Sequence, residues 1–282
     1  MSTSFVGISG WRYPPWRSTF YPKGLPQARE LEYAAERLDS IEINGSFYSL
    51  QRPSSYLRWK AETPDDFVFS VKGGRFITHM LKLQNAHQAL ANFFASGVLA
   101  LGEKLGPFLW QLPERVTFDA EVLEQFCAQL PQTRAAALEL GRDKDARMND
   151  RFWLDDGPDH PLRHTLEVRH DSFDDPDCFR ILQRHGVALV VADTAGRWPM
   201  LRETGLADFV YVRLHGADEL YVSGYTEEAL DAWADEVRGW MTGATAPDAT
   251  PRDVYVYFDN DTKVRSPVDA MALRARLAAG PA

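Results

Sequence analysis

Cysteine is nearly absent from this chain, with only Cys127 and Cys178 among 282 residues. The two lack any metal-ligand or redox spacing, so a disulfide framework is excluded as the source of stability, and both read as reduced thiols packed on helices. Long apolar runs are lacking too: no stretch approaches the ~20 residues of a membrane span. The polar start over residues 1–4 does not read as a signal peptide. A cytoplasmic protein with no membrane partner is the expectation. Basic runs are missing, and a net charge of −9 with a pI near 5.3 opposes unselective binding to nucleic acid. That balance still allows a local basic pocket, because the field inside a cleft can oppose the global charge. Finally, no Gly-rich dinucleotide fingerprint follows the first strand, which argues against a doubly wound open sheet.

What the chain does have is alternation. Eight apolar or alternating runs, rich in β-branched and aromatic residues, cover 5–11, 40–48, 67–74, 106–113, 164–170, 187–193, 209–216 and 253–260. Helical periodicity fills 25–38, 54–61, 85–105, 120–130, 176–185, 227–241 and 267–278, while the link from the sixth run to the seventh is only weakly helical. Strands alternating with helices predict a parallel sheet, and eight such units predict an α/β fold of the (β/α)8 TIM-barrel type. The length suits a barrel of ~250 residues, and 45% hydrophobic composition is enough for its core. One domain over residues 1–282 is expected, with a charged insertion at 141–161 before strand five and a surface loop at 243–251.

Successive side chains of a strand point to opposite faces, so each run divides into two sets. Ile41 and Ile43 oppose Glu42 and Asn44. Leu166 and Val168 oppose Glu167 and Arg169. Val210, Val212 and Leu214 oppose Tyr211, Arg213 and His215, and Val254, Val256 and Phe258 oppose Tyr255, Tyr257 and Asp259. Strand three adds Ser70 and Lys72, strand four Gln111 and strand six Asp193. The recurring register is apolar toward the helices and polar toward the axis, whereas ordinary barrel interiors are filled with branched aliphatics. Buried charges need partners, and Lys72, Arg169 and Arg213 pair in type with Glu42, Glu167 and Asp193. A purely structural ion-pair network is the rival to a functional site. Aromatics of the first loop, Trp11, Tyr13, Trp16, Phe20 and Tyr21, together with Phe47 and Tyr48, suit either the wall of a ligand mouth or loop packing.

These residues carry a resemblance. Gly10-Trp11, Phe20-Tyr21-Pro22, Glu42-Ile43-Asn44, Phe47-Tyr48, Phe69 to Lys72 and Thr78-His79 resemble the pattern of the DUF72 (YecE-like) family. So do Gln111-Leu112-Pro113, Glu167 to His170, Arg213 to Gly216 and the strand over 255–260, in family order across nearly the whole chain. Phe173 and Asp259 depart from the residues common there. The resemblance implies a TIM barrel and no settled activity.

Three chemistries fit the polar set. In the first, an enzyme acts on a small polar or anionic, phosphate- or sugar-like substrate. Glu42, Glu167 and His215 supply acid and base, with His79 a second proton shuttle. Lys72, Arg169 and Arg213 hold the anion, and Asn44, Gln111, Tyr257, Trp11 and Tyr48 complete the binding surface. A second reading places a divalent metal on Glu42, His79, Glu167, Asp193 and His215, with His170 of suitable type, as in endonuclease IV or xylose isomerase barrels. The third is a non-catalytic ligand-binding module.

Overall fold

A computed structural model describes residues 2–155, 157–261 and 263–280. Its strands are β1 (Ser4–Ser9), β2 (Ser40–Ile43), β3 (Val68–Lys72), β4 (Leu105–Gln111), β5 (His164–Glu167), β6 (Val187–Leu189), β7 (Val191–Asp193), β8 (Phe209–Leu214) and β9 (Asp253–Phe258). The helices are α1 (Glu30–Ala35), α2 (Gly45–Tyr48), α3 (Pro53–Ala61), α4 (His87–Ala95), α5 (Ala120–Cys127), α6 (Arg134–Arg142), α7 (Pro176–Arg184), α8 (Glu227–Thr242) and α9 (Arg265–Ala279). Strand order is β6-β5-β4-β3-β2-β1-β9-β8-β7, and the described registers are parallel. This is the (β/α) barrel class expected from the alternation. Nine strands stand where eight runs were read because Val190 interrupts the sixth run, separating β6 from β7. No described helix is long and apolar enough to cross a membrane.

Two compact units divide the chain: Met1–Glu42 with Ala188–Ala282, and Ile43–Val187. In the first, β1 lies between β2 and β9, and β9 continues to β8 and β7. Gly7 faces Ser40 and Tyr257 across its two neighbours, and a Cβ there would stand 1.9 Å from the Ser40 carbonyl oxygen. Only glycine lets the strands approach so closely. Thr226 caps α8 by accepting from the Ala229 N–H, and Leu230, Trp233, Val237 and Trp240 recur at helical spacing as its buried stripe.

In the second unit β4 pairs with β3 and β5, and an aromatic cluster of Phe93, Phe94, Phe108, Trp110 and Phe126 packs beneath the helices. The helix expected over 85–105 is broken. Gly97 adopts φ 102°, ending α4 and starting a 3-10 segment over Val98–Lys104. The run at 40–48 also stops short, since Asn-Gly-Ser turns the chain into α2 after Ile43. Asn44 therefore sits in a turn, outside the strand alternation used to place it. Part of the insertion at 141–161 belongs to α6, a helix missed in the sequence. Buried Arg134 ties its later part down by donating to the carbonyls of Asp155 and Gly157. Asp156 of that tract lies outside the described residues.

Candidate functional site

In the first unit, strand register sets Ser9 beside Glu42 and Arg213 beside Tyr257, all near the carboxyl ends of their strands. Glu42 is fully buried and saturated. Its Oε1 accepts from Ser9 Oγ at 2.6 Å and Arg213 Nη2 at 2.9 Å, and its Oε2 from Tyr211 Oη at 2.7 Å and Arg213 Nε at 3.1 Å. Four donors occupy the roughly four acceptor sites of a carboxylate, and the bidentate fork offsets the desolvation of both charges. Arg213 Nη2 also donates to Ser9 Oγ at 3.1 Å and Asp259 Oδ2 at 2.9 Å, and its Nη1 lies 3.4 Å from His215 Nε2. His215 Nδ1 stands 3.1 Å from the same Asp259 oxygen, and the Tyr221 ring meets the imidazole edge-on at 5.3 Å. Nearby, Tyr225 Oη donates to Asp193 Oδ2 at 3.0 Å; burial raises the carboxyl of Asp193 above its usual range, which this hydrogen bond opposes. Burial, then repulsion from Asp259, pushes Asp261 up to about 6.

A second cluster forms at strand ends of the other unit. Lys72, the last residue of β3, holds its ammonium 4.7 Å from the Phe47 ring centroid, and Ser46 Oγ donates to the Lys72 carbonyl at 2.6 Å. Glu167 ends β5 fully buried, its Oε1 accepting from Arg169 Nε and paired with Nη2, each at 3.0 Å. Between them in sequence, a π-helical turn over Phe76–Met80 carries His79. Its Nδ1 is 2.9 Å from Thr78 Oγ1, and its ring packs edge-on against Phe47 at 5.0 Å. Burial, then the charges of Lys72, Arg169 and Arg75, hold His79 down at about 4, with Glu167 pulling the other way. Such π turns recur at functional sites.

The structure thus gathers Glu42, Arg213 and His215 in one cluster, and Lys72, His79, Glu167 and Arg169 in another. Several expected contacts take a different place. Tyr257 is fully buried with its hydroxyl 2.7 Å from Ser40 Oγ, so it presents no free face to a substrate. Trp11 is buried, and its carbonyl accepts from Tyr21 Oη, which makes it loop packing rather than an open wall. Gln111 spends its amide on the carbonyl of Leu112 at 2.7 Å. Tyr48, by contrast, is 73% exposed, and Asn44 Oδ1 is buried without a hydrogen-bond partner among the described residues. The expected ligand set Glu42, His79, Glu167, Asp193 and His215 is not assembled: among the described residues no group of three or more His, Cys, Asp or Glu is placed to hold a metal ion. His170 instead accepts the Ser172 N–H at 3.1 Å and caps a turn. Sequence reasoning missed Ser9, although the alternation Phe5, Gly7, Ser9 signals it, and Arg75, whose loop carries no periodic signal.

A family model described as "Protein of unknown function DUF72" matches residues 5–282. The chain is 28% identical over 186 residues to the UPF0759 protein YecE of Escherichia coli (strain K12), covering 60% of this chain and 65% of that protein. It is 27% identical over 74 residues to the UPF0759 protein YunF of Bacillus subtilis (strain 168), covering 26% of this chain and 25% of that protein. The chain therefore spans less than two thirds of the length of these curated relatives. Among solved structures, a DUF72 family protein (TM1631) of Thermotoga maritima MSB8 superposes with TM-score 0.74 at 23% identity, covering 98% of this chain and 99% of that one. A DUF72 family protein (ef0366) of Enterococcus faecalis V583 gives TM-score 0.69 at 14% identity over 98% and 96%. At these identities the likeness carries the fold alone.

Proposed function

The chain belongs to the DUF72 family, and from its charged strand-end cluster we propose an enzyme that acts on a small anionic substrate by general acid/base chemistry. One observation carries this reading: Lys72, Arg169 and Arg75 surround His79 closely enough to add to the effect of burial, which chiefly holds the imidazole down at about 4, with Glu167 acting against them. Three cations around one neutral imidazole make a field suited to a phosphate or carboxylate, on a chain whose net charge is −9. Lys72 holds the anion, and Arg169, bound to Glu167 through Nε and Nη2, adds positive charge beside it. Glu167 transfers the proton, and neutral His79 serves as hydrogen-bond partner or acceptor without adding charge. Glu42 and Arg213 are assigned a different part. With both carboxylate oxygens occupied, Glu42 is no free base, and the pair locks the ends of β2 and β8.

Calorimetric titration with inorganic phosphate and with small phosphorylated and carboxylated sugars tests the reading. Saturable binding that weakens at least about tenfold in Lys72→Ala supports it. Equal affinity in wild type and Lys72→Ala, across the whole series, overturns it.

A further inference from the structure

The π-helical turn that bears His79 also supplies Phe76 and Ile77 to a separate cavity of about 510 Å³, inside the ~300–1,000 Å³ range of small-molecule sites. Most of its wall is carbon, with Leu50, Leu81, Phe93 and Met148 joining those two. Phe76 lines the cavity with its ring 57% exposed, so one face is open to a ligand. The two guanidinium groups of the cavity differ. Arg147 is neutralised by Asp145, which receives its Nε at 3.0 Å and Nη2 at 2.5 Å. Arg151 donates Nε to the Arg147 carbonyl at 3.4 Å and has no carboxylate partner among the described residues. An apolar hollow with one uncompensated cation at its lining selects a specific chemistry.

We propose that this cavity is a binding site for a small amphipathic organic anion, its ring-sized apolar body against Phe76, Ile77 and Phe93 and its acidic group on Arg151. The apolar body gains burial that free phosphate cannot, and the acid gains a charge-assisted contact that a neutral ring cannot. This assignment is independent of the chemistry proposed at Lys72 and Glu167.

Fluorescence and calorimetric titration of the full chain tests it with two probes. 8-Anilinonaphthalene-1-sulfonate supplies rings and an anion, and N-phenyl-1-naphthylamine supplies the rings alone. Wild type is expected to bind the sulfonate saturably at one site. Arg151→Gln, at an exposed position that leaves the fold intact, weakens the sulfonate about tenfold and the neutral probe by less than about twofold. Ala89→Trp, which fills the cavity from its lining, removes both, and Lys72→Ala leaves both unchanged. Failure of wild type to saturate, unaltered sulfonate affinity in Arg151→Gln, or loss of the sulfonate in Lys72→Ala overturns the proposal. The Arg151 pair decides the matter even if Ala89→Trp does not fold.

Discussion

At the scale of single residues, burial decides what a charged group can do. Glu42 and Arg213 are both fully enclosed and share a bidentate pair, so removing one strands the other. Arg213→Met is expected to lower unfolding free energy by about 3–5 kcal/mol, whereas Ser9→Ala, which deletes one hydrogen bond of four, lowers it by about 1–2 kcal/mol. Urea titration of both variants checks this ordering. His79 makes the complementary case. Its folded-state value near 4 lies below the ordinary 6.5, so the neutral ring is favoured by folding. The associated stability is complete above the ordinary value and declines as pH falls through about 4. NMR of the ring protons should therefore show no titration of His79 between about pH 7 and about pH 5, and Lys72→Ala should move its midpoint upward. Asp261 runs in the opposite sense. Its carboxyl is raised to about 6, so the contribution is greatest below the ordinary aspartate value and disappears as pH rises through about 6. Asp261→Asn should raise the melting temperature at about pH 7 by a few degrees and leave it unchanged near pH 4.

Elements set which of these residues meet. Strands that end at Ser9, Lys72, Gln111 and Glu167 deliver polar side chains at their carboxyl termini, where barrel enzymes build their sites. The turn after β3 then departs from regular geometry as a π-helical segment followed by positive φ at Lys82, Leu83 and Asn85. Non-glycine residues in that region carry strain of about 1–3 kcal/mol each, retained only where surrounding structure imposes it. Gly97 shows the opposite solution, glycine used where φ is 102° and a Cβ would stand 2.6 Å from Pro53 Cα. Gly97→Ala is expected to cost at least about 1 kcal/mol, read as a lower midpoint in chemical denaturation. The same residue explains why one long helix was expected over 85–105: apolar periodicity continues through it, and only the backbone angle reveals the break.

For the molecule as a whole, the scarcity of cysteine acquires a place. Cys127 and Cys178 are buried on α5 and α7, and burial first of all pushes each thiol up to about 12. Native protein should resist a thiol-specific aromatic disulfide at about pH 8, while denatured protein reacts at both positions; rapid labelling of the native chain would contradict the packing.

Much of the fold was legible because the period of two along each strand is a local property, written in Val254, Val256 and Phe258 against Tyr255, Tyr257 and Asp259. Strand ends were less legible, as Asn44 shows, since turn residues compete with strand propensity only through backbone angles. Alternation also identified which acids and bases leave the apolar face. It did not reveal that Glu42 is saturated while Lys72, Arg75 and Arg169 crowd His79, because partners such as Tyr211 lie 169 positions away in the chain. Side-chain period is set by covalent geometry and can be read from order alone. Proton affinity and accessibility are set by distance in space, and only the folded chain decides those.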